Sequence, residues 1–144
     1  GKKKYDDFIK EISAYFPNYS QNTNLVIRPY FDEMYYALKA ADIVIARAGS
    51  LSLSELTLCG SACILVPYPY AAADHQRKNA REAEKMGFAL YCEDKDFERE
   101  RMLELVKSLV NNPDYVKKMS KAAYMNSRPQ AKQEIIENLI SIIK

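Results

Sequence analysis

Apolar positions along this chain follow two alternating rhythms. Residues 5–16 carry Phe8, Ile9, Ile12 and Phe16 at helical spacing, and Pro17 closes the run, so a helix is predicted there. The polar stretch 18–24 reads as a loop, and Leu25-Val26-Ile27 as a short strand that Pro29 bars from further central pairing. Asp32 is placed to cap a helix whose Met34, Ala37, Leu38 and Ala41 share one face. The pattern then repeats: strand 43–46, helix 52–59, strand 62–66, helix 74–86, strand 88–91, with Gly60 and Gly87 where each helix must stop. Strands that are apolar throughout and alternate with helices predict an α/β fold, a doubly wound parallel sheet of about four strands covered on both faces. Three amphipathic helices follow. The first carries Met102, Leu105, Val106 and Leu109, the second spans 114–125, and the last carries Ile136, Leu139, Ile140 and Ile143. Asn111-Asn112-Pro113 and Arg128-Pro129 separate them.

Composition narrows the class. A chain of 144 residues, 48% apolar and 28% charged, suits one soluble globular domain. A net charge of +2 gives no electrostatic case for nucleic acid, and the Lys2-Lys3-Lys4 cluster is expected to be a solvated end. Cys59, Cys63 and Cys92 lie in or beside apolar runs and read as reduced, buried thiols. One histidine and no Cys-x-x-Cys pair argue against a metal site, and no cofactor is expected. The longest weakly polar stretch, 62–73, is short for a bilayer and broken by Pro67 and Pro69, and the N-terminus lacks a signal-peptide core, so the expected location is cytoplasmic.

In open α/β sheets ligands gather beyond the carboxyl ends of the strands, which here means three loops. In the first, Tyr30 and Phe31 could wall a flat base or simply close over a core. The second, Ala46-Arg47-Ala48-Gly49-Ser50-Leu51-Ser52, runs from a strand into a helix and presents backbone N–H groups to an anion, with Gly49 allowing close approach. Glu55 in that helix admits two readings: the far end of a capping box begun by Ser52, or an acceptor for ribose hydroxyls. The third loop, stiffened by Pro67 and Pro69, ends in Asp74-His75-Gln76 at a helix start, polar groups suited to sugar hydroxyls and an N-acetyl group.

Taken in order, Arg47-Ala48-Gly49-Ser50-Leu51-Ser52-Leu53-Ser54-Glu55, Gly60, Ile64-Leu65-Val66-Pro67, Asp74-His75-Gln76 and Asn79-Ala80 resemble the donor-binding half of the MurG family. These GT-B glycosyltransferases move N-acetylglucosamine from UDP-GlcNAc onto lipid I, giving lipid II in peptidoglycan synthesis. The resemblance implies a Rossmann-like half of a GT-B enzyme with C-terminal helices, spanning residues 1–144 as a single partial domain. It implies that Glu55 binds the ribose and that Phe31 lies beside uracil. Gly49, Ser50 and Leu51 would approach the nucleotide, and Asp74, His75 and Gln76 the sugar, with Asn79 structural. Ala48 stands where many members have serine, one hydroxyl contact fewer.

Family members also have an acceptor domain that meets lipid I and supplies the base for inverting transfer. That domain and the first strand and turn of the donor domain have no counterpart here, so no catalytic residue is expected in this chain. It should be inactive alone. The longer protein is expected to be peripheral on the cytoplasmic face of the membrane, and an exposed sheet edge would allow homo-oligomers. Alternatives are another UDP-sugar transferase, a non-catalytic subunit of a split transferase, and an epimerase, for which no pair of acid and base carboxylates is evident.

Overall fold

A computed structural model describes residues 2–97 and 99–143, the side chains of residues 2, 3 and 99 excepted. The solvated-end expectation therefore lies outside the described side chains at Lys2 and Lys3, while Lys4 is exposed. In chain order the elements are α1 (Lys2–Tyr15), α2 (Met34–Ala40), β1 (Ile43–Ala46), α3 (Ser50–Cys59), β2 (Ala62–Leu65), α4 (His75–Lys85), β3 (Ala89–Tyr91), α5 (Arg99–Val110), α6 (Pro113–Met125) and α7 (Ala131–Ile143). They fall into two units, Gly1–Met34 and Tyr35–Lys144.

The first unit consists of α1, a short 3₁₀ turn at Tyr19–Gln21 and irregular chain. The strand expected at 25–27 does not form: these residues belong to no strand, and the Leu25 N–H donates to Asn22 O at 3.1 Å, prolonging the turn. Strand propensity acts only through a paired, half-buried surface, and residues 25–27 pair with no strand among the described residues.

The second unit holds a parallel sheet of three strands in the order β1-β2-β3, with Ile43 opposite Ala62 and Ile64 opposite Leu90. Central β2 is buried at every position and divides its side chains between two cores. Cys63 and Leu65 pack with Leu56 of α3 and Ala80 and Ala83 of α4, whereas Ala62 and Ile64 pack with Leu105 and Leu109 of α5 and Met119 of α6. Helices thus cover both faces, as the uniformly apolar strands required. Strand β1 departs from that expectation: it lies at the sheet edge, and Ile45 is 45% exposed.

Helix ends follow the glycines. At Gly60 (φ 69°) the Ser61 N–H donates to Leu56 O at 2.9 Å and the Gly60 N–H to Thr57 O at 3.0 Å, a Schellman closure that needs the left-handed backbone. All three cysteines are free and buried, and burial pushes the Cys63 thiol up to about 12.

Candidate functional site

The turn after β1 begins α3 two residues earlier than its serines suggest. Gly49 is the N-cap, with extended backbone (φ −69°, ψ 147°), and the Leu53 N–H donates to Gly49 O at 2.9 Å. Ser52 therefore lies within the first turn, and the capping box with Glu55 does not form. Among the described residues the Glu55 carboxylate has no hydrogen bond or ion pair, and it is exposed. Exposed Ser50 and Leu51, at 81% exposure for Leu51, open the helix, where the first N–H groups have no intrahelical acceptor. Ala48 is fully buried among Leu56, Leu65 and Ala80, so its methyl faces the core. A serine there would carry its hydroxyl at a position enclosed by core side chains.

In the loop after β2 the sugar-side candidates are oriented by hydrogen bonds to the chain itself. His75 Nδ1 lies 2.6 Å from Ala72 O. A carbonyl oxygen can only accept, so Nδ1 carries a proton, and Nε2 has no protein partner among the described residues. Gln76 Oε1 accepts from the Tyr68 N–H at 3.0 Å, leaving the Nε2 amide group as a donor. The Asp74 carboxylate is taken up by Arg77 at 2.9 Å, and Arg77 also reaches Glu93 at 3.3 Å. Nearness of the buried Tyr91 hydroxyl, then the charge of Arg77, holds the Glu93 carboxyl below its ordinary value, so this carboxylate is ionised at neutral pH. Ala73 (φ 49°) and Asp74 (φ 56°) both adopt left-handed backbone without being glycine, strain that must be held by such contacts.

Asn79 Nδ2 donates to Ala48 O at 3.0 Å and ties α4 to the turn before α3. That is the structural part expected of it. Gly49 to Leu51 and Asp74 to Gln76 accordingly sit beyond the carboxyl ends of neighbouring strands β1 and β2. Glu55 lines a cleft of about 510 Å³ together with Ser54, Asn79, Glu82 and Arg128, over apolar Leu53, Ala83 and Phe88. His75 and Gln76 do not line it. Phe31, 37% exposed, belongs to the first unit.

One residue at this edge carried no role in the sequence reading. Arg47, directly after β1, donates from Nη1 to Val66 O at 3.2 Å and Pro67 O at 3.1 Å, pairs with Asp94, and lies 5.7 Å from the centre of the Tyr68 ring. Its signal was position: an arginine immediately beyond a strand in a sheet meets the neighbouring strand end.

Comparison with known proteins fits this arrangement. The Desulforamulus reducens protein named UDP-N-acetylglucosamine--N-acetylmuramyl-(pentapeptide) pyrophosphoryl-undecaprenol N-acetylglucosamine transferase is 35% identical over 99% of this chain and 38% of its own length. Its namesake from Halothermothrix orenii is 36% identical over 97% of this chain and 38% of its own. The chain thus spans under two fifths of these relatives. The crystal structure of Acinetobacter baumannii MurG superposes with a TM-score of 0.75 at 29% identity, over 81% of this chain and 33% of that one. The α/β sheet is therefore the Rossmann-like half of a GT-B fold. With the family model for the glycosyltransferase family 28 C-terminal domain matching residues 2–137, this chain belongs to that family.

Proposed function

We propose that this chain is the UDP-GlcNAc-binding part of a glycosyltransferase that transfers GlcNAc to undecaprenyl-pyrophosphoryl-MurNAc-pentapeptide, lipid I, to give lipid II in peptidoglycan synthesis. The observation that carries the reading is the set of polar groups left free on the two helices that follow neighbouring strands β1 and β2. Among the described residues the Glu55 carboxylate on α3 has no partner, and at the start of α4 His75 Nε2 and the Gln76 amide group are left free. Glu55 takes the ribose hydroxyls. Gly49, Ser50 and Leu51 approach the nucleotide. His75 Nε2 accepts from a sugar hydroxyl while Gln76 Nε2 donates, and Asp74 shapes their loop through Arg77.

The reaction is inverting. A hydroxyl of the acceptor, deprotonated by a base outside these residues, attacks the anomeric carbon, and UDP leaves with charge stabilised by the N–H groups that open α3. In this reading the chain binds the donor without transferring the sugar. Among the described residues no helix is long and apolar enough to cross a membrane. The longer protein works from the cytoplasmic face as a peripheral enzyme, and the edge of β1 that pairs with no strand among the described residues is a surface for self-association.

Calorimetric titration with UDP-GlcNAc, UDP-glucose and UDP tests this. UDP-GlcNAc should bind tightest, and Glu55→Ala should weaken all three by about 10- to 100-fold, the range for losing charge-assisted hydrogen bonds. Equal affinity for UDP-glucose and UDP-GlcNAc would transfer the chain to another UDP-sugar enzyme.

A further inference from the structure

We infer that Arg47 is a positioning residue for the sugar: it fixes the loop after β2, and so the outward face of Gln76, without itself binding the nucleotide. The inference rests on the donor reading above. A chain of contacts carries it. Arg47 Nη1 donates to Val66 O at 3.2 Å and Pro67 O at 3.1 Å, the last carbonyls before the loop leaves the sheet. The next residue, Tyr68, stacks its ring 5.7 Å from the guanidinium and donates its N–H to Gln76 Oε1 at 3.0 Å. Gln76 is thus turned by a backbone amide whose place Arg47 determines. On its other side Arg47 is held by Asp94 beyond β3, so one side chain spans the ends of β1, β2 and β3.

An arginine is suited to this because its planar guanidinium brings Nη1 to two carbonyls and a carboxylate while the group as a whole lies against the Tyr68 ring. The loop needs such an anchor. It contains two non-glycine residues at positive φ, Ala73 and Asp74, and relaxes from that backbone unless both ends are tied. Arg77, bridging Asp74 and Glu93, holds the far end, and Arg47 holds the near one. Because the contacts Arg47 makes, all from Nη1, lie within the protein, Arg47 contributes selectivity for the sugar and leaves the affinity for UDP alone.

The test compares Arg47→Met and Asp94→Asn with the unsubstituted chain by titration with UDP and UDP-GlcNAc, and by hydrogen exchange at the Tyr68 amide without ligand. Arg47→Met should keep UDP affinity within about twofold, lower the preference for UDP-GlcNAc over UDP by about tenfold, and speed Tyr68 exchange by at least about tenfold, the scale of one charge-assisted hydrogen bond. Asp94→Asn, which leaves both carbonyl bonds in place, should move the same readouts less. Equal loss of UDP and UDP-GlcNAc affinity would make Arg47 a diphosphate ligand and overturn the inference, as would unchanged Tyr68 exchange in both variants. If the unsubstituted chain bound neither ligand the donor reading would fall, while the exchange measurement would still decide whether Arg47 fixes the loop.

Discussion

At the scale of single residues, chemistry here follows what each polar atom already holds. Glu55 is free of protein partners among the described residues, while His75 and Gln76 each spend one atom on the backbone and so present a defined second one. The cysteines behave oppositely. Burial raises all three thiols above their ordinary value, Cys63 to about 12, so thiolate is scarce at neutral pH. A disulfide exchange reagent at pH 7 should label none of them at an appreciable rate in the native chain and all three after denaturation. Fast native labelling of Cys63 would show that β2 is not enclosed. The sequence identified these thiols because they lie in or beside apolar runs, which predicts burial. Ala48 lies between exposed Arg47 and half-buried Gly49, and its own methyl packs in the core.

At the scale of elements, boundaries were legible wherever a residue type has a single physical use. Gly60 and Gly87 end α3 and α4 with positive φ, as a helix meeting a strand in a short connection demands. Gly60→Ala should cost about 1–2 kcal/mol, the penalty for left-handed backbone. Its Cβ would meet Ser120 O at an ordinary 3.5 Å, so chemical denaturation should show a shifted midpoint with an unchanged slope. Where two local signals compete, sequence alone left the outcome open. Ser52 and Glu55 have capping-box spacing, yet α3 starts at Ser50 because Gly49, leaving β1 in extended conformation, already closes the first turn. Residues 25–27 have strand composition and no ladder.

At the scale of the molecule, the sheet is asymmetric. β2 is enclosed, and β1 has an edge that pairs with no strand among the described residues, with Ile45 at 45% exposure. Such an edge invites pairing with another strand. Sedimentation of the isolated chain should show self-association rising with concentration, and Ile45→Lys, which puts charge at that edge, should reduce it. A strictly monomeric chain at high concentration would remove the proposal that this edge self-associates.

What the sequence determined by itself is the alternation of helix and strand, the parallel sheet covered on two faces, the helix stops and the loops that leave β1 and β2. All of these follow from the spacing of apolar residues and from the backbone limits of glycine and proline, which are local. The tertiary structure alone decided which polar atoms remain free. That Glu55 lacks a partner among the described residues, that His75 Nε2 and the Gln76 amide group are left free, and that Arg47 joins three strand ends all depend on groups brought together from distant positions. A hydrogen bond between residues 47 and 94 leaves no trace in the spacing of either.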